Sequence, residues 1–301
     1  MSHHAQEHWS DTIAATLNNI DGDFIARGAA TWEFTVRNGL AAKVVARLGG
    51  NWISLDAPLA HVAGTSPEHA GKWLRVNHGL PGGARIALQD DLVPSVCADI
   101  VLHTDVDVAG RLRECCAGIR AAIHGVCSDG AEGPDRIGMP EPGAAPLEEG
   151  EQDSPELRMP DGWSLTHAGD GKWTCALDVP GTFCQAEVSL TRRGAVRVSA
   201  ELAAHAPWSG ASRLEAALFM ARTNHIIRLG RAIILESGDG AAISLECGFD
   251  ALPAPQELGE ALSAVSAGSL LTHSELHALK SAPIARAYLA ALGWDPAASA
   301  A

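Results

Sequence analysis

The chain predicts an α+β fold built twice: two tandem modules, each an antiparallel sheet of about five strands with helices on one face, arranged as a pseudo-dimer. Three observations carry this. Residues 73–88, WLRVNHGLPGGARIAL, and 219–235, FMARTNHIIRLGRAIIL, repeat one pattern: the end of a helical stretch carrying Arg-x-Asn-His, a turn, a Gly, and an apolar run containing Arg85 or Arg231. Short β-type segments joined by tight turns precede both copies, which implies antiparallel pairing. A second apolar segment and a closing helix follow both, and repetition of a whole unit signals a modular architecture.

The elements follow in order. Ser10 and Asp11 are read as capping a helix through Ile13, Leu17 and Ile20. Strands are expected at 31–37, 41–48 and 51–55; in the first, Trp32, Phe34 and Val36 alternate with Glu33, Thr35 and Arg37. Ser66-Pro67-Glu68 opens a helix that runs to about Asn77, with a cap followed by proline at the first position. Strands at 84–89 and 96–103 and a helix over 106–123 close the module. In the second copy, strands are expected at 173–179, 183–191 and 195–202. A helix over 209–225, strands at 231–236 and 242–247, and a helix over 255–267 follow. The plan is α-β-β-β-α-β-β-α, with the leading helix clear only in the first copy. It divides the chain into a first module, 1–127; a linker, 128–160; a second module, 161–271; and a helical tail, 272–301.

Between Ser128 and Pro160 nine acidic residues stand against two arginines, with six prolines and no aromatic side chain. Such a stretch buries too little apolar surface to offset its ordering entropy and reads as a flexible linker. It supplies half of the net charge of −14. An acidic balance without a basic patch excludes nucleic acid and an anionic membrane surface as expected partners. The apolar stretches are too short to span a bilayer. MSHHAQEHWSD lacks the basic and apolar regions of a secretory signal, and the seven cysteines contain no CxxC pair. A cytoplasmic protein with reduced cysteines is expected.

The element order, and the phrase NHGLPGGARIALQDDLVPSVCADIVLHTD in particular, resembles the type III secretion chaperone-like fold shared with the YbjN family. The resemblance covers roughly 10–126 and 163–270. In that group, small acidic homodimers hold a protein segment extended over apolar surfaces. The resemblance therefore implies two copies on one chain forming the equivalent dimer internally, with a protein as partner.

Candidate binding residues are Arg75, Asn77 and His78 with their counterparts Arg222, Asn224 and His225. Two Asn-His corners brought together by approximate two-fold symmetry could line a shared site. The competing reading is structural: Asn near a helix C-terminus tolerates the left-handed conformation, and His there meets the exposed carbonyls. Metal chemistry is weakly supported. His273 and His277 flank Glu275 without forming HExxH; His3, His4 and His8 lie in a terminus; Cys115 and Cys116 are neighbours on a helix and diverge. No GxSxG elbow or GxxxxGK[ST] loop occurs, so neither catalytic residues nor a cofactor or metal are expected. The eight tryptophans, against one tyrosine, are read as core, with one or two exceptions at the module interface. The preferred function is a non-enzymatic chaperone-like or adaptor protein; the alternative is a sensor or enzyme with a pocket between the modules.

Overall fold

The computed structural model describes residues 3–38, 40–60, 66–89, 92–103, 106–127, 157–179, 183–191, 194–204, 208–237 and 240–294. The first module runs α1 (His3–Ile20), β1 (Ile25–Gly28), β2 (Thr31–Asn38), β3 (Leu40–Gly49), β4 (Trp52–Pro58), α2 (Pro67–Asn77), β5 (Arg85–Leu88), β6 (Pro94–Val101) and α3 (Val108–Cys127). The second runs β7 (Thr166–Gly169), β8 (Lys172–Leu177), β9 (Cys184–Leu190), β10 (Val196–Ala204), α4 (Gly210–Ile226), β11 (Arg231–Ser237), β12 (Gly240–Phe249), α5 (Pro255–Leu279) and α6 (Ala282–Ala291).

Each module folds around a six-stranded antiparallel sheet, in the order β1-β2-β3-β4-β6-β5 and β7-β8-β9-β10-β12-β11. The two orders are the same, as a duplication requires. The expected five strands become six because β1 and β7 add a short leading strand to each edge. Both pair through a bulge, at Ala26/Gly28 and at His167/Gly169, and β1 is exposed along its length. No alternation marks them in the sequence for that reason.

Trp32, Phe34 and Val36 are buried on the face of sheet one that α1 and α3 cover. Each such side chain contributes about 1.5–3 kcal/mol by leaving water. One apolar core runs on from there through both modules. α1 begins well before Ser10, whose hydroxyl donates to the Ala29 carbonyl at 3.0 Å and does not cap the helix. Asp21 ends α1: its Oδ2 accepts the Thr35 N–H at 2.7 Å and its Oδ1 lies 3.7 Å from Arg37. α5 is a single 25-residue helix, so the expected tail from Thr272 is its second half followed by α6. Gly268 lets it continue, since a Cβ there would come within 2.6 Å of Leu245.

Of the linker, residues 128–156 lie outside the described residues. Leu157 and Pro160 are buried, and Pro160 packs against Gly259 of α5. No helix among the described residues is long and apolar enough to cross a membrane.

The modules join reciprocally: α2 packs on α4, α4 on β5, and α2 on β11. β5 and β11 are the outer strands of their sheets, so each edge is covered by a helix of the other module. Covering an edge in this way removes a template for unwanted pairing.

Candidate functional site at the module seam

The two Arg-x-Asn-His corners meet at this seam. Ser66 starts α2 by accepting from the His69 N–H, and Ser209 starts α4 by accepting from the Ser212 N–H at 3.1 Å. With those starts, Asn77 and Asn224 fall at the far ends of the two helices, both fully buried. Neither adopts the left-handed conformation expected for a terminal Asn; after α4 it is Leu229 that carries a positive φ, of 58°.

The two side chains act on strand edges. Asn77 Oδ1 accepts the Ile86 N–H at 2.7 Å, while its Nδ2 donates to the carbonyls of Ile86 and Ala232, each at 3.2 Å. Asn224 mirrors it: Oδ1 accepts the Ala232 N–H at 2.5 Å, and Nδ2 donates to Ile86 at 3.1 Å and Ala232 at 3.5 Å. Ile86 sits in β5 and Ala232 in β11, so two amides satisfy the inward-facing peptide groups of both outer strands. Buried peptide groups left without such partners are costly.

The arginines of the repeat do the corresponding work for the turns, a role that their place in an apolar run hints at. Arg85 Nε donates to the Asn224 carbonyl at 2.6 Å and its Nη2 to Asp99 at 2.7 Å. Arg231 Nη1 donates to the carbonyls of Leu80 at 2.5 Å and Ala84 at 3.1 Å, and its Nε and Nη2 to Glu246 Oε1. Each guanidinium thus crosses the seam, Arg85 to the last turn of α4 and Arg231 to the turn that follows α2. Burial is the largest influence on the Arg85 charge and works against it, but Asp99, Cys97 and Cys247 together outweigh burial and raise its pKa. Burial likewise pushes the Glu246 carboxyl up, yet Arg231, the His78 hydrogen bond and Arg197 bring it down to about 2.

The histidines follow the same symmetry. His78 Nδ1 donates to Glu246 Oε2 at 3.0 Å, and His225 Nδ1 lies 3.9 Å from Cys97 Sγ. Cys97 is opposite Arg85 in the ladder, as Glu246 is opposite Arg231, so the two histidines meet equivalent positions. Burial pushes the Cys97 thiol up to about 11, leaving it a poor nucleophile. Arg75 is exposed on α2, and Arg222 acts electrostatically on Glu215 of α4. The seam therefore brings together the asparagines. It sends His78 and His225 to acceptors in different sheets.

Beside the seam a small, solvent-open crevice, about 30 Å³ in volume, is bordered by Arg111, Glu114, Asp99, Phe249 and Glu257. Its charged groups answer one another. Arg111 holds Glu257 through Nε and Nη2, both at 3.0 Å, and Glu114 through Nη1 at 2.9 Å, and lies over the Phe249 ring. The crevice wall is tightly fitted. Gly82, at φ +61°, comes so close to α3 that a Cβ would fall 2.4 Å from Glu114 backbone, and one at Gly118 would meet the Pro81 carbonyl at 2.2 Å.

The side chains of His3, His4 and His8 lie outside the described residues, and among the described residues the other metal-like spacings do not gather into a site. His273 and His277 face each other on α5 with ring centroids 6.5 Å apart, and among the described residues no three His, Cys, Asp or Glu side chains come together. Trp32, Trp73 and Trp208 are buried, whereas Trp9, Trp52, Trp163, Trp173 and Trp294 are half-buried, more exceptions than expected. Trp52 lies at the interface, where Arg228 of the second module sits 5.4 Å over its ring. Compared with known proteins, the chain matches no family model, no curated protein and no solved structure.

Proposed function

We propose that this chain is a non-enzymatic protein-binding protein, chaperone-like or adaptor in kind, whose two modules form an internal dimer and whose partner is a protein segment held outside the seam. The carrying observation is an apolar patch on the C-terminal helices. Leu271 of α5 is 64 % exposed, and Ile284 and Tyr288 of α6 are 41 % and 44 % exposed. They adjoin one another: Glu275, one turn after Leu271, hydrogen-bonds Tyr288, which lies one turn after Ile284. Leu270 adds a further exposed side chain. Apolar side chains clustered in this way mark interaction surfaces. The resemblance to secretion chaperones in element order points in the same direction. The seam itself supports a structural role, because its asparagines and arginines are engaged with peptide groups and carboxylates of the chain.

The test is purification of the tagged protein from its native host, comparing the natural sequence with a Leu271→Asp/Tyr288→Asp variant of unchanged circular dichroism. A stoichiometric protein partner kept by the first and lost by the second supports the reading. Recovery alone in both cases, with a thermal shift on adding a metabolite, would favour a small-molecule sensor instead.

A further inference from the structure

The two sheets turn open faces of different charge to solvent. On sheet one, the side chains alternating away from the core include Arg37 on β2 and Lys43 and Arg47 on β3, all exposed. Arg27 joins them from the β1 bulge, donating to Glu33 Oε2 at 2.8 Å, and Arg228 reaches over from the second module onto Trp52. Against these five cations stand three carboxylates, Glu33, Asp56 and Asp21, the last 3.7 Å from Arg37, in a chain with 36 acidic and 22 basic residues overall. On sheet two, Lys172 is spent on Glu187 at 3.0 Å and Arg197 on Glu246 at 3.0 Å, while Glu201 is exposed. Only the first face carries an excess of positive charge.

That excess has a pattern. Along β3, Lys43, Val45 and Arg47 point the same way at alternate positions, with half-buried Val45 between two exposed cations. The cations are four residues apart, about 13 Å in an extended strand. A second strand laid on this face would run within about 30° of β3 and repeat the same spacing on its own alternate residues.

We infer that the open face of sheet one binds an extended, acidic protein segment, one whose carboxylates flank an apolar side chain at alternate positions so as to meet Arg47, Val45 and Lys43. This rests on the protein-binding reading and names the chemistry of the partner. The negative charge elsewhere on the chain does not forbid it, because at physiological salt the field of distant groups is screened within about 8 Å. A nucleic acid is the less suitable polyanion. Glu33 and Asp56 flank Val45, where the segment places its apolar side chain but a continuous phosphate backbone would place charge, and the chain's pI of about 5.3 is far from that of a nucleic-acid binder.

The test uses the full chain and fluorescence anisotropy of a labelled peptide of about twelve residues with Glu, Val and Glu at alternate positions and Ser between, on the strand spacing above. A Lys-for-Glu peptide, an oligo-dT strand and an amphipathic Leu/Ser peptide serve as comparisons. The expected result is binding of the Glu/Val peptide that weakens with ionic strength, falls by about tenfold or more in Lys43→Glu/Arg47→Glu, and is unchanged in Lys172→Glu. No binding of this peptide, equal binding by the double variant, or tighter binding of oligo-dT would overturn the inference. If the Leu/Ser peptide still binds and is lost in Leu271→Asp/Tyr288→Asp, the broader protein-binding reading survives that failure. If neither peptide binds, both fall.

Discussion

The two halves of the seam share a backbone plan but not a charge plan. In the first module the acid that answers Arg85 is Asp99, two residues along β6 from Cys97; in the second, Glu246 answers Arg231 from the position equivalent to Cys97. Gly248 occupies the place equivalent to Asp99, and a Cβ there would lie 3.3 Å from Arg231 Nη2. A buried arginine needs a carboxylate within reach, but the sheet offers two positions from which to supply it. The symmetry is held by Asn77 and Asn224, whose partners are peptide groups and so survive side-chain divergence. The electrostatics drift around them.

The largest effect is expected from breaking the more loaded half. Glu246 serves Arg231, Arg197 and His78, so Glu246→Gln leaves buried positive charge uncompensated and should cost about 3–5 kcal/mol in urea denaturation. Asp99→Asn, which strips one arginine, should cost less. If the two positions are interchangeable, adding Gly248→Asp to Glu246→Gln recovers part of the loss, about 1–2 kcal/mol for a restored charged hydrogen bond. No recovery would mean that strand position matters as much as charge. The sign of the pH dependence follows from the lowered Glu246 carboxyl, at about 2 against an ordinary 4.5. Its contribution is complete above about pH 4.5 and is lost as pH falls toward 2, and Glu246→Gln should abolish that slope.

The second module holds an opposite case. Glu215 of α4 is buried, its Oε2 has no hydrogen-bond partner, and burial pushes its carboxyl up to about 7, with Arg222 lowering it and Glu275 raising it. A raised carboxyl favours the fold below the ordinary value of 4.5 and loses that advantage as pH climbs through 7. Glu215→Gln should therefore flatten the decline and raise stability at pH 8 by an amount on the order of 1–2 kcal/mol, read as the thermal midpoint against pH. An unchanged profile would place the charge of Glu215 in water.

A smaller effect compares the two histidines. His78 is partly exposed beside Glu246, so His78→Ala should cost about 0–1 kcal/mol, and His225→Ala, beside a neutral thiol, less still. Equal losses at the two sites would undo the assignment of different charge plans.

Much of this architecture is legible in the residues. Trp32, Phe34 and Val36 announce a half-buried strand, and Ser66-Pro67 announces the start of α2. The repeated Arg-x-Asn-His and the later Arg85 and Arg231 mark the seam, although not what they do there. What stays hidden has physical causes. β1 and β7 are short, bulged edge strands with no buried alternation. Ser10 has the chemistry of a cap and spends its hydroxyl on Ala29. The acids of the seam do not repeat in register, since one copy uses position 99 and the other position 246, so no comparison of the two copies would pair them. The basic face of sheet one is spread over three strands and a loop of the other module, and in the linear chain its cations look like ordinary surface charge.

Asn77 and Asn224 form one shared device holding the two modules together, and a double-mutant cycle in urea is its sharpest test. Asn77→Ala and Asn224→Ala should each cost about 1–3 kcal/mol, because each strands buried peptide groups of Ile86 and Ala232. Because both asparagines donate to the same two carbonyls, the double variant should depart from the sum of the singles by about 0.5 kcal/mol or more. Additivity within about 0.3 kcal/mol would mean instead that each asparagine serves only its own module.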